Sequence, residues 1–173
     1  MNVVITSLRK GKKKSELGMK SIIFRKIMVA TDGSEAIKRA VDSAIEIAKL
    51  SETRLYAVHV ISMGFFSMTL PTDTEWKKAF QEQLVTESKQ ATAYVEHAGR
   101  AANVEVESVI LEGSPAEEII DFAEKNDLDL IVMGTHGITG IPRFLLGSIA
   151  ENVVMHSKKA VLVVRGETLG KNR

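Results

Sequence analysis

Asp129-Leu-Ile-Val-Met-Gly134, then Thr135-His136-Gly137, and after a nine-residue spacer Gly147-Ser148-Ile149-Ala150-Glu151: this stretch decides the fold. A short, almost continuously apolar run is the pattern of a strand covered on both faces. The glycines allow a tight turn. Ser148-x-x-Glu151 has the form of a capping box, so a helix is expected to start there. Strand, glycine-rich loop and helix in this order make half of a βαβ unit, the building block of parallel sheets.

The same alternation extends outward in both directions. Strand patterns occur at 26–31, 55–61, 104–111, 129–133 and 160–164. Between the first two, Ile37, Ala40, Val41, Ala44, Ile45 and Ala48 form one apolar helical stripe. Residues 73–101 read as a long second helix, and Ser114-Pro115-Ala116-Glu117 opens a third with proline at its first position. Val104-Glu-Val-Glu107 alternates as an exposed edge does, whereas the first, second and fourth strands are nearly all apolar. The order 3-2-1-4-5 satisfies these constraints. The expected fold is thus an α/β domain with an open, doubly wound, parallel five-stranded sheet. Its ligand crevice falls between strands one and four, at their carboxyl ends, where the winding reverses. Strand five, Ala160-Val-Leu-Val-Val164, is apolar on both faces yet lies at an edge, which predicts a homodimer formed through it; the alternative is that helices of the same chain cover it.

Composition narrows the function classes. The chain has 173 residues, consistent with one domain, and no cysteine, which excludes disulfides, thiolate metal sites and cysteine nucleophiles. No apolar run approaches the ~18 residues of a membrane span, and the expected location is the cytoplasm. Residues 1–26 hold eight basic side chains against Glu16 alone, a net of +7, and the remainder carries −6. The body therefore offers no basic face for nucleic acid. The tail with Arg9, Lys10, Lys12, Lys13 and Lys14 is the one place for weak contact with nucleic acid or anionic lipid. The expected division is a flexible basic extension at 1–24, a folded domain at 25–166 and a short tail at 167–173. Met19, just ahead of the first strand pattern, is an alternative start for the natural chain.

Two segments meet at the expected crevice. Ala30-Thr31-Asp32-Gly33-Ser34 ends the first strand, and Gly134-Thr135-His136-Gly137 with Gly147-Ser148 frames the loop after the fourth. Backbone N–H groups in a glycine-rich turn and in the first turn of a helix suit phosphate oxygens. Glycines that merely close tight turns have the same pattern. The loop is neither a G-x-x-x-x-G-K-[ST] nor a G-x-G-x-x-G motif and contains no lysine, which argues against rapid phosphoryl transfer. Among the histidines, His136 reads as an exposed loop side chain before a base, His59 as a core residue, and His97 and His156 as helix residues without a motif. Phe65, Phe66 and Met68 stand in a long connection at 62–72 that serves as a lid, a partner surface or simple packing.

Gly134-x2-Gly137-x9-Gly147-Ser148 resembles the G-x2-G-x9-G-[ST] nucleotide loop of the universal stress protein family. Lys26-Ile-Met-Val-Ala-Thr-Asp-Gly-Ser34, Val58-His59-Val60 and Ala160-Val-Leu-Val-Val-Arg165 resemble other strands of that family, so the likeness spans about residues 25–165. The resemblance implies a dimeric, Rossmann-like sheet of the adenine nucleotide α-hydrolase type and membership in the ATP-binding branch. It implies that Ala30, Thr31 and Asp32 meet the ribose and phosphates, that Val60 and Met133 line the adenine pocket, and that Gly134 and Gly137 admit ribose and phosphates. Gly147, Ser148, Ile149 and Ala150 would offer N–H groups to the phosphates. Read from the residues alone, Arg143 is either a phosphate clamp or a solvated loop charge, and His136 is the other loop side chain that could contact phosphate. Asp32 is the candidate Mg²⁺ ligand. Some ATP-binding members carry Ser or Thr where this chain has Ala150, so ADP or AMP are alternative ligands. The implied role is an ATP-binding stress or signalling protein with at most slow hydrolysis or autophosphorylation. The alternative is a dimeric scaffold or chaperone-like module that uses no nucleotide.

Overall fold

The computed structural model describes residues 4–6, 24–62, 74–135 and 146–166. In chain order its elements are β1 (Val4–Thr6), β2 (Ile27–Ala30), a 3₁₀ turn (Glu35–Ile37), α1 (Lys38–Leu50), β3 (Leu55–Ser62), α2 (Thr74–Ala101), β4 (Val106–Gly113), α3 (Pro115–Lys125), β5 (Leu130–Gly134), α4 (Ser148–His156) and β6 (Ala160–Val164). The sheet runs β1-β6-β5-β2-β3-β4. β2 to β6 are parallel and have the expected 3-2-1-4-5 order.

Alternation along the strands divides the interior in two. Ile27, Val29, Leu55, Ala57, Leu130 and Val132 point to the side that holds α1 and Val95 of α2. Met28, Val58, Ile131, Met133, Val161 and Val163 point to the other, against Ile119 and Ala123 of α3 and Ala150 and Val153 of α4. Strands covered on both faces must be apolar at every position, hence their continuous runs. Each fully buried Val, Leu or Ile contributes roughly 1.5–3 kcal/mol of transfer free energy. All six residues of the α1 stripe are buried.

The lead-in to β2 is fixed by a residue some hundred positions later. Asp129 Oδ2 accepts hydrogen bonds from the N–H groups of Arg25 (2.7 Å) and Lys26 (3.1 Å). The Asp129 N–H donates to the Lys26 carbonyl at 2.8 Å, and Lys26 Nζ donates to the Asn126 carbonyl at 2.8 Å. These bonds set the register in which Ile27 stands beside Leu130.

Three details differ from the sequence reading. The third parallel strand begins at Val106 rather than 104, because Asn103 takes a left-handed turn (φ 59°) and buried Val104 still belongs to the connection. The α4 cap is Gly147, with Ser148 the first helical residue; neither Ser148 nor Ser114, which caps α3, makes a side-chain capping bond there. The third concerns the extension at 1–24. Val4–Thr6 forms an antiparallel strand on β6, pairing Val4 with Val163, Ile5 with Leu162 and Thr6 with Val161. A β-branched Val-Ile-Thr run suits a strand, and β6 offers it unpaired backbone groups. Within one chain, the edge expected to receive a second copy thus carries β1.

Candidate functional site

β2 and β5 are neighbours, so the segments that leave their carboxyl ends start about 4.8 Å apart. After Ala30, the Thr31 N–H donates to the Val58 carbonyl at 2.9 Å, which ties the turn to β3. The Gly33 N–H then donates to Thr31 Oγ1 (3.2 Å) and the Ser34 N–H to Asp32 Oδ1 (3.0 Å). These side chains hold the turn in place of ladder bonds. Gly33 has φ +75°, and a Cβ there would lie 3.1 Å from the Ala91 Cβ of α2, so both its backbone and its space require glycine.

Two polar atoms of this turn, Asp32 Oδ2 and Ser34 Oγ, are buried and have no hydrogen-bond partner among the described residues. A buried polar group left unpaired costs about 1–3 kcal/mol. Their position at the reversal of winding makes them natural partners for a ligand hydroxyl, a hydrated cation or water. No cluster of three or more metal-ligating side chains occurs among the described residues.

His59 is half-buried rather than a core residue, and its Nδ1 lies 2.8 Å from the Thr31 carbonyl. A carbonyl only accepts, so Nδ1 carries the proton, and in the neutral ring Nε2 is an acceptor. His97 and His156 are on α2 and α4 as expected.

On the β5 side, Gly134 is buried at the strand's end. The Thr135 N–H donates to the Val164 carbonyl (3.1 Å), and the Gly147 N–H donates to the Thr135 carbonyl (2.8 Å). That second bond returns the chain to where it left the sheet and sets α4 at the crevice. The first bond inside α4 runs from the Glu151 N–H to the Gly147 carbonyl at 2.9 Å. The N–H groups of Ser148, Ile149 and Ala150 precede it, and with the helix dipole they favour an anion. Met133 and Ala150 are buried in the apolar cluster that Ala30, Val60 and Leu146 flank. His136, Gly137 and Arg143 lie outside the described residues, as do Phe65, Phe66 and Met68.

The fold therefore brings Ala30, Thr31, Asp32, Val60, Met133, Gly134, Gly147, Ser148, Ile149 and Ala150 to one end of the sheet. The arrangement provides an anion-attracting helix end, an apolar wall and an unpaired carboxylate oxygen. Sequence reasoning passed over Ser34, His59 as a tether, and Leu146. Only the Asp-Gly-Ser turn signal pointed near the first of these.

Residues 23–165 match the universal stress protein family. Universal stress protein MJ0531 of Methanocaldococcus jannaschii is 41% identical over 143 residues, 83% of each chain. The solved structure of MJ0577, from the same organism, superposes with a TM-score of 0.74 at 30% identity, covering 84% of this chain and 99% of that one. The universal stress protein of Archaeoglobus fulgidus in complex with dAMP superposes with a TM-score of 0.62 at 27% identity, covering 83% and 99%. On the strength of the family match over most of its length and of these relatives, the chain belongs to the universal stress protein family.

Proposed function

We propose that the chain binds an adenine nucleotide, ATP before ADP or AMP, in the crevice between the β2 turn and the start of α4. The observation that carries this reading is the Gly147 to Thr135 bond, which sets three N–H groups of α4 beside the turn that holds the unpaired Asp32 carboxylate oxygen. The dAMP complex of the Archaeoglobus fulgidus relative supports it. In this reading the phosphates lie against Gly147 to Ala150, with His136, Gly137 and Arg143 alongside. Val60 and Met133 face the adenine, and Thr31 and Asp32 face the ribose and phosphates. Asp32 Oδ2 is the acceptor that a hydrated Mg²⁺ would use. The protein acts as a cytoplasmic stress or signalling component, with at most slow ATP hydrolysis or autophosphorylation. It works as a homodimer paired through Ala160–Val164. Among the described residues no helix is long and apolar enough to cross a membrane.

A calorimetric titration with ATP and with ADP, each with Mg²⁺, tests the reading once co-purified nucleotide has been looked for. Micromolar or tighter binding is expected. Gly147 has φ −62° and ψ 152°, which valine also adopts. Gly147→Val therefore keeps the fold while its side chain blocks close approach, and ATP affinity should drop at least about a hundredfold, roughly 2.8 kcal/mol. Unchanged affinity in this variant would remove the site assignment. The absence of any binding or bound nucleotide would favour a nucleotide-independent interaction module.

A further inference from the structure

We propose that β1 is a displaceable cap on the sheet, which competes with a second copy of this chain for the outer edge of β6. The proposal rests on the homodimer reading above and adds its regulation.

β1 stands at the position a second copy would need. Val4–Thr6 engages Val161, Leu162 and Val163, the middle of a five-residue strand. The outward N–H and C=O groups of β6 can be satisfied by one added strand at a time. The cap also comes from outside the shared domain, since the family match begins at residue 23.

The contact is of the size expected for a switch rather than a permanent strand. It has three residue pairs, whereas two copies of β6 can align all five of their residues. Each hydrogen bond gained over water is modest, and bringing residues 4–6 to β6 carries the entropic cost of chain closure. Tethering supplies β1 at a high effective concentration, so it holds the edge when the protein is dilute. A second copy supplies a longer ladder and prevails as concentration rises. With the cap closed about ten times as often as open, and both copies required to open, the apparent dimer Kd rises about a hundredfold.

Sedimentation across a concentration series can compare three proteins: the full chain, a form lacking residues 1–18, and the full-length Val4→Pro/Ile5→Pro variant. Among the residues whose burial is described, no buried core residue precedes Ile27, and the family match begins at residue 23, so the shortened form keeps that core. Val4→Pro/Ile5→Pro disrupts the short ladder, because adjacent strand residues direct their N–H groups to opposite sides and one of the two must face β6; it retains Arg9, Lys10, Lys12, Lys13 and Lys14, which separates strand competition from charge repulsion. Both altered forms should dimerise about a hundredfold more tightly than the full chain. Equal dimer affinity in all three would overturn the cap and leave the dimer standing. Tightening in the shortened form alone would assign the effect to charge and overturn the cap. Weaker dimers on shortening would mean that β1 links copies rather than parting them, which also overturns it. Three monomers at every concentration would overturn the dimer reading and the competition together.

Discussion

Along β4 no residue is fully buried, and Glu107, Ser108 and Glu112 are exposed; along β6 four of five residues are buried. Both strands stand at the limits of the parallel array, so both present a row of backbone groups to whatever comes near. β4 answers with composition. Its charges make an additional strand costly, and Glu107 meets Arg54 of the neighbouring segment at 3.3 Å. β6 has no charge within it and is covered instead, by β1. Charged edges are protected at every concentration, whereas a covered edge depends on its cover staying in place. One sheet thus has a closed side and a side whose exposure can change.

The largest test of this contrast places a charge on each edge. Val161 is 1% exposed. Val161→Lys should lower the unfolding free energy in urea by about 3 kcal/mol or more, because an unpaired ammonium enters the core. Ser108→Lys, on the exposed run of β4, should stay within about 0.5 kcal/mol of the parent. Equal costs would erase the distinction between the two edges.

A smaller effect is expected where β4 ends. Gly113 has φ +148°, and a Cβ there would lie 2.6 Å from Glu118 Oε1. Gly113→Ala should cost about 1–2 kcal/mol by thermal unfolding, mostly through backbone strain, since the Glu118 side chain can turn away. A neutral result would mean that the β4 end relaxes more readily than its backbone suggests.

The smallest effect belongs to the ion pair ahead of β6. Lys159 Nζ lies 2.8 Å from Asp127 Oδ1, and this bond holds the Asp127 carboxyl below its ordinary 3.8. A lowered carboxyl pKa stabilises the fold above the ordinary value, and the contribution is lost as pH falls through the lowered one. Asp127→Asn keeps a residue that tolerates the local φ of 52°. The Tm difference between parent and variant should therefore be small and constant from pH 7 to about 4, then vanish on further acidification. A difference that grew toward low pH would show that the pair does not act this way.

The contrast between the edges also shows what could be read from the chain. The apolar runs of β2, β3 and β5 and the stripe of α1 carry their own periodicity, so the parallel order and both interior faces were legible. Glu105 and Glu107 marked the outer strand correctly. β1 was not legible, because Val4-Ile5-Thr6 precedes a basic run and reads as part of a tail. Its strand character depends on β6 having a vacant side, which is a property of the assembled sheet. Within the site, the two glycine segments and Asp32 announced themselves by residue type. The His59 tether and the unpaired Ser34 hydroxyl did not, since each depends on how the turn settles against β3 and α2. Ser148 was mistaken for the cap because Ser-x-x-Glu is a good capping pattern; the Gly147 to Thr135 bond moves the helix start by one residue.

The Asp129 clamp on Arg25 and Lys26 bears on how the protein comes off the ribosome. β2 is the middle of the sheet, and one of its sides is closed by β5, about a hundred residues later. At about 5–20 residues per second, synthesis leaves that side open for roughly 5–20 s after β2 has emerged. During this interval β2 has β3 on one side and lacks β5 on the other, and the centre of the domain closes nearly last. The first-made strand of the parallel array is thus fixed at its entry by a carboxylate made much later.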